Sequence, residues 1–487
     1  MNKRMILKIL GTVVILGGVF MTLPMIVALI YKEESGLCFI PSAALSIGVG
    51  LLSRLIKTDN NHISAKEGFI IVSLSWIILS LVGAVPFTLS GEIPNYLDAV
   101  FETVSGYTTT GASILNDVEA LSHCMVFWRS FTHWLGGMGI LVFLLALLPQ
   151  SGGQSIHLLR AESPGPTVSK MVPKMRTSSA ILYGIYLALT VLQFIFYIFG
   201  GMPVFDAVCL AIGTAGTGGF AIKNTSLAGY SMYLQGVTTV FMALFGINFS
   251  LYFLLLRKRF KAAFSNSELK FYIGIILSAI TLITANVLYV GKGAGSVFKT
   301  LHHVAFSVVS LITTTGYCTE DFNLWPEFSK VILILLMMTG ACAGSTGGGL
   351  KVSRVLILVK SAVIEVRRAL HPHTVQAIKL NGKKVQKENA NAVCVYLIVY
   401  ISIIVISILL ISLDNHDTST TITSVIATVN NIGPGLGDIG PSGNFSIFSP
   451  MSKIVLTFDM LFGRLELFPM LILLMPSTWR RHLHRTK

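Results

Sequence analysis

Long apolar runs separated by short polar connections dominate the chain, at roughly 5–31, 38–56, 67–91, 123–149, 178–200, 231–256, 269–291, 327–360, 391–413 and 450–476. A helix needs about 20 apolar residues to cross about 30 Å of hydrocarbon, so each run predicts a transmembrane helix. Lys3, Arg4 and Lys8 stand at the start of the first run, as in a secretory leader. No small-residue cleavage site closes it, however, and the run is long, so a retained helix is predicted.

Four of the connections break this alternation. They read DAVFETVSGYTTTG from Asp98, DAVCLAIGTAGTGG from Asp206, HHVAFSVVSLITTTG from His302 and STTITSVIATVNNIG from Ser419. Each holds about ten helix-compatible residues, enough for roughly 15 Å or half a bilayer, followed by a Thr-, Gly- or Asn-rich run ending in Gly. Such a segment enters a membrane and turns back. The closing glycines, Gly111, Gly219, Gly316 and Gly433, are 108, 97 and 117 residues apart. The pattern is helix, half-helix, loop and helix, repeated four times, and it predicts one pseudosymmetric assembly. One such loop alone reads more readily as a helix-packing seam of small residues. Four in register predict a shared pathway, because irregular backbone at membrane depth survives only beside a cavity or inside protein.

Composition agrees. The 487 residues are 53% hydrophobic and 12% charged, too apolar for a soluble domain. The net charge of +14 raises nucleic-acid binding, but the basic residues sit at the ends of apolar runs and form no compact basic domain. Alternate connections hold 28 of the 36 Lys and Arg, including Arg54, Lys57, Lys66, Arg160, Lys170, Lys174, Arg176 and Arg257–Lys261. The opposite side carries 14 of the 22 acids, among them Glu33, Glu34, Asp98, Glu320, Asp321 and Asp438. The positive-inside rule then predicts ten spans with both termini cytoplasmic. Six scattered cysteines without CxxC spacing read as packing residues, and no P-loop, HExxH or nucleophilic triad suggests an enzyme.

The loops Thr108–Gly111, Gly216–Gly219, Thr313–Gly316 and Asn430–Gly433 carry no charged side chain. Backbone carbonyls are left to coordinate, which suits a dehydrated monovalent cation. Each half-helix aims its partly negative C-terminal end at its loop, and Asp98 and Asp206 are expected to cap half-helix N-termini. The eighth run is interrupted by Thr339-Gly340-Ala341-Cys342-Ala343-Gly344-Ser345-Thr346-Gly347-Gly348-Gly349. This break reads as a flexible barrier below the third loop, or else as a close-packing seam. Arg464 lies inside the last run and either faces the pathway, braces the loops or forms a buried ion pair, with Glu466 and Asp459 as near partners. Arg129 reads as structural, and His133, His302 and His303 as polar packing residues. The basic connection from Arg367 to Lys387 suits anionic lipids, a soluble partner or topology alone.

The stretches TVSGYTTTGAS, GTGGF, TTTGY, NNIGPG, WRSFTHWLGGMGI, RAESPGP, AGSTGGGLK and FGRLE, over nearly the whole chain, resemble the Trk-type potassium uptake subunits of the Trk/Ktr/HKT superfamily. The resemblance implies an all-α polytopic membrane protein with four membrane–pore–membrane repeats around one pore, preceded by two extra helices. The expected divisions are 1–60 for those helices, then repeats at 61–155, 156–262, 263–388 and 389–487. Their pore loops are 98–113, 206–221, 302–318 and 419–435. It implies a K⁺ filter at Thr109, Thr110, Gly111, Thr217, Gly218, Gly219, Thr314, Thr315, Gly316, Asn431, Ile432 and Gly433. It also implies a gating loop at 339–349, a pore-facing Arg464, a homodimer in the bacterial inner membrane and a cytoplasmic nucleotide-binding ring. K⁺ is the transported ion, and no organic cofactor is expected on this chain. His133 stands where the family is expected to carry Gln, a departure expected to affect packing alone. The alternative is a K⁺/H⁺ or K⁺/Na⁺ symporter; the few mid-span acids, Asp459 and Glu466, favour passive conduction.

Overall fold

The computed structural model describes residues 2–56, 64–139, 175–371 and 377–479. Lys57, residues 140–149 of the fourth predicted span, the RAESPGP stretch and the basic tail after Trp479 lie outside the described residues.

Among the described residues, six helical spans are long and apolar enough to cross a membrane: Lys3–Tyr31, Glu34–Arg54, Ala65–Leu89, Ser179–Phe199, Ser267–Tyr289 and Lys387–Asp414. The first two are the extra pair, and the other four each open a repeat. The two extra helices cross where side chains are small, since a Cβ on Gly11 would fall 1.6 Å from Ser53 Oγ. Glu33, just beyond the first helix, accepts the amides of His123 (2.8 Å) and Cys124 (3.0 Å) and so caps the helix His123–Met138. That contact fastens the extra pair to the first repeat.

The closing helix of each repeat departs from the continuous spans expected at 231–256 and 450–476. Met232–Phe245 and Phe249–Leu256 meet at 90°. Asn248 starts the second of these by accepting from the Ser250 amide (2.9 Å), which ends the first. Glu327–Thr339 and Val352–Leu370 are separated by the Gly-rich break, which starts at Gly340 with φ +72°. Pro450–Arg464 and Phe468–Leu474 part at Glu466 and Leu467, both with positive φ. In the first repeat, His123–Met138 stops at Gly139, φ +82°.

The half-helices are Tyr96–Tyr107, Val204–Gly216, Val297–Ile312 and Thr418–Val429. Their N-caps correct the sequence expectation. Asn95, Ser296 and Asp417 cap the first, third and fourth, while Asp98 and Asp206 stand in first turns. Asp98 instead receives the Lys453 ammonium (2.7 Å), and Asp206 the Tyr230 hydroxyl (2.8 Å).

The connections that follow the half-helices hold one another in cyclic order. Asn224 accepts from the Val118 amide (2.8 Å) and donates to Asp117 (2.7 Å), a bond that holds the Asp117 carboxyl below its usual range. Leu227 donates to the Cys318 carbonyl (3.0 Å), Asn323 exchanges two bonds with Gly437, and Phe445 donates to the Ser113 carbonyl (2.8 Å). Repeats one to two, two to three, three to four and four to one are thereby linked.

Arg129 and Glu102 form a fully buried pair (2.7 Å) behind the first loop, with Glu102 also accepting from Ser113 and the Ile114 amide. The guanidinium lies 4.1 Å from the Phe220 ring centre, reaching into the second repeat. Arg129→Met would leave Glu102 buried without its cation, a cost of about 3–5 kcal/mol. The expected result is a lower unfolding midpoint in detergent, partly restored in the double variant Arg129→Met, Glu102→Gln. A midpoint equal to that of the parent chain would contradict the structural role given to this pair.

Candidate functional site

The four half-helices end in the same way. Thr109 donates to the Gly106 carbonyl (3.1 Å) and Thr110 to that of Ser105 (2.9 Å). Thr217 and Gly218 repeat the pattern on Thr214 and Gly213, Thr314 and Thr315 on Leu311 and Ser310, and Asn431 and Ile432 on Thr428 and Ala427. This is a Schellman ending, whose left-handed residue is usually Gly. Here it is Thr109, Thr217, Thr314 or Asn431, with φ between +54° and +58°. The glycine comes two residues later, with φ of +78°, +81°, +83° and +92° at Gly111, Gly219, Gly316 and Gly433.

This ending turns the loop amides back onto the half-helix and leaves the loop carbonyls unused. Among the described residues, no protein donor reaches the carbonyls of Thr109, Thr110, Thr217, Gly218, Thr314, Thr315, Asn431 or Ile432, and all eight residues are buried. Buried carbonyls normally find a partner. Hydroxyls brace the loops from behind: Thr108 with Thr110 and Thr313 with Thr315, each at 2.8 Å. The Asn431 amide does the same for the first loop, donating to Thr110 Oγ1 (2.9 Å).

The glycines show how the loops meet. A Cβ on Gly111 would fall 2.1 Å from the Gly218 carbonyl oxygen; on Gly219, 2.0 Å from that of Thr315; on Gly316, 2.0 Å from that of Ile432. On Gly433 it would fall 2.8 Å from that of Thr110. Each glycine therefore lies against the middle carbonyl of another loop, and the cycle closes after four. All twelve residues named in the sequence for the filter sit in this ring or directly behind it.

The Gly-rich break lies against the side of the ring on which the half-helices end. A Cβ on Gly347 would be 2.8 Å from the Thr313 carbonyl, and one on Gly348 2.4 Å from that of Asn430. The Gly348 amide donates to Thr314 Oγ1 (2.7 Å). Further back the break docks on the bent helix of the second repeat, with Cys342 donating to the Gly246 carbonyl (3.1 Å) and Phe249 to that of Gly344 (3.0 Å). The Ala343 amide donates to Glu268 (2.7 Å). Lys351, just after the break, donates its Nζ to the Gly347 carbonyl.

Arg464 joins this layer to the ring. It donates to the carbonyls of Thr346 (2.9 Å), Gly137 (2.7 Å) and Gly136, with Thr109 Oγ1 at 3.4 Å. Its sequence neighbours take other partners: Glu466 pairs with Arg354, and Asp459 accepts from Ser407 (2.7 Å). The near partners expected for Arg464 are thus replaced by carbonyls from the first and third repeats. The positive charge lies at the C-terminal end of His123–Met138, where helix carbonyls lack internal partners.

The family described as "TrkH: Cation transport protein" matches residues 38–481. The chain is 38% identical to the Trk system potassium uptake protein TrkH of Salmonella typhimurium, over 99% of this chain and all of that one. It is 32% identical to TrkG of Escherichia coli, over 98% of this chain and 99% of that one. This chain belongs to the TrkH family of cation transport proteins. The crystal structure of the potassium transporter TrkH from Vibrio parahaemolyticus superposes with a TM-score of 0.89 at 32% identity, covering 99% of this chain and all of that one. The fold is that of a multi-pass TrkH-family membrane protein, as the four-repeat pattern predicts.

Lys351 and Arg354 stand in the sequence only among the basic residues at a span end, although both belong to this TrkH-family site. Arg354 meets Glu466, 112 residues away, so no local spacing marks it, while Lys351 turns back onto Gly347, four residues before it.

Proposed function

We propose that this chain takes up potassium across a bacterial cytoplasmic membrane, conducting it passively through the ring of four loops. The observation that carries this reading is the set of eight buried loop carbonyls without a donor among the described residues, on loops closed into one cycle. Such carbonyls replace the hydration shell of a cation that has shed water, and a ring without carboxylates favours a monovalent one. The Trk names of the relatives point to K⁺ as that ion. The filter residues are Thr109 to Gly111, Thr217 to Gly219, Thr314 to Gly316 and Asn431 to Gly433.

The 339–349 break is the gate in this reading, and Arg464 and Lys351 place positive charge beneath the filter while it is closed. The basic end of Val352–Leu370 and the short hairpin that pairs Lys379–Leu380 with Lys383–Lys384 face the cytoplasm, as do both termini. They are the docking side for a nucleotide-binding regulatory ring, and two copies of the chain form the working unit. The repeat divisions at 61–155, 156–262, 263–388 and 389–487 follow from one half-helix per unit. Passive conduction is preferred to K⁺/H⁺ or K⁺/Na⁺ symport because Asp459 and Glu466 bond Ser407 and Arg354, outside the ring.

The test is flux into proteoliposomes with K⁺, Rb⁺, Na⁺ or Li⁺, with and without a pH gradient. Entry of K⁺ and Rb⁺ well ahead of Na⁺ and Li⁺ is expected. Equal entry of all four ions would overturn the filter assignment, and obligatory proton movement would establish the symporter.

A further inference from the structure

His133 belongs to the helix His123–Met138, is fully buried, and touches two loops at once. Its Nδ1 lies 2.7 Å from the Gly106 carbonyl in the last turn of the first half-helix. Its Nε2 lies 3.2 Å from the amide nitrogen of Phe220, the residue after the filter glycine of the second loop. A carbonyl only accepts and an amide N–H only donates, so one form of the ring satisfies both: neutral, with the proton on Nδ1. The other tautomer sets a lone pair against the carbonyl. The doubly protonated ring sets an N–H against the Phe220 amide.

The ring also occupies space. A Cβ on Gly218 would lie 2.1 Å from His133 Cγ, and the imidazole packs at 4.2 Å from the Phe220 ring centre. One side chain thus spaces the first loop from the second, at the junction where the Gly218 carbonyl meets Gly111. The junction of the fourth loop with the first has its own strut, the Asn431 amide on Thr110.

We propose that His133 is a positioning residue for the filter, and that its Nδ1–H tautomer sets the separation of the first and second loops and through it the discrimination between K⁺ and Na⁺. The inference rests on the filter reading above. A site that replaces a hydration shell depends on how far apart its carbonyls stand, and a loosened support lets a smaller ion be coordinated as well. The role is one of spacing, so loss of the strut moves selectivity more than total flux.

The test compares His133→Leu, which fills similar space without polar partners, with His133→Gln, whose amide donates to Gly106 and accepts from Phe220. In proteoliposomes, His133→Leu is expected to lower the K⁺/Na⁺ flux ratio at least fivefold with total cation flux within threefold of the parent chain. His133→Gln is expected to hold the ratio within twofold. Equal ratios in all three proteins, or equal loss in both variants, would overturn the proposal. Should His133→Leu fail to fold, ¹⁵N-histidine NMR on the parent chain decides, with the His133 signals assigned by their loss in His133→Gln. A neutral Nδ1–H ring supports the proposal, and either other form overturns it. If Gly316→Ala leaves the ratio unchanged, the filter reading itself fails. If Gly316→Ala collapses the ratio while His133→Leu does not, only the role of His133 fails.

Discussion

Gly316→Ala is expected to cut K⁺ flux about tenfold or more and to bring the K⁺/Na⁺ ratio close to one, a barrier change of roughly 1.4 kcal/mol or above. Two costs act together. Gly316 has φ +83°, and an L-residue held in that region loses roughly 1–2 kcal/mol. The added methyl would also fall 2.0 Å from the Ile432 carbonyl oxygen and 2.9 Å from Pro434 Cδ. The nearest obstacle is backbone, so no side chain can swing aside, and the third and fourth loops must separate. Gly184→Ala is the control, since nothing lies within 4 Å of its Cβ position and its φ is ordinary. Tracer uptake of K⁺ and Na⁺ in proteoliposomes reads both quantities. Parent-like uptake by Gly316→Ala would show that the ring is not the conducting path.

The ring was legible in the sequence because its signal is local and repeated. Ten helix-compatible residues followed by a Thr- or Asn-rich run and Gly recur four times, and each copy folds into the same Schellman ending. The fourth copy, Asn430-Asn-Ile-Gly433, differs in every residue except the glycine and still places Asn431 at φ +56° and Gly433 at φ +92°. Asn tolerates left-handed backbone, so the conformation survives the change of residues.

The breaks in the closing helices were less legible. The eighth run advertises its interruption with glycines. Glu466 and Leu467 carry no such mark, yet both adopt positive φ, and Phe468 donates to the Glu466 carbonyl (2.8 Å) across a tight γ-turn. A buried leucine at φ +67° is costly on its own and persists because its surroundings hold it. The contact that holds it is long-range: Glu466 is tied to Arg354 at the start of Val352–Leu370, the helix that leaves the Gly-rich break. Arg464 shows the same limit. Spacing along the sequence offers Glu466 and Asp459, whereas the fold supplies carbonyls 118 and 327 residues away.

Excising residues 340–348 is expected to raise basal K⁺ flux about tenfold or more while leaving the K⁺/Na⁺ ratio in place, again a barrier change of roughly 1.4 kcal/mol. The excision is geometrically mild, because the ends of the segment already touch. A Cβ on Gly349 would lie 2.8 Å from the Cα of Gly340, so Thr339 can be joined to Gly349 with little movement of either helix. Excision removes the hydrogen bonds that hold the segment in place: Gly348 to Thr314, Arg464 to the Thr346 carbonyl, and Cys342 to the Gly246 carbonyl. None of them involves the loop carbonyls assigned to the ion, which is why selectivity should survive. Arg464→Gln is the companion variant. If the arginine acts by holding this segment closed, Arg464→Gln raises flux in the full-length chain and adds nothing once the segment is gone. An arginine acting as an independent positive barrier in the path would give equal increments in both backgrounds. Unchanged flux in the excised chain would mean that the segment packs beneath the filter without closing it.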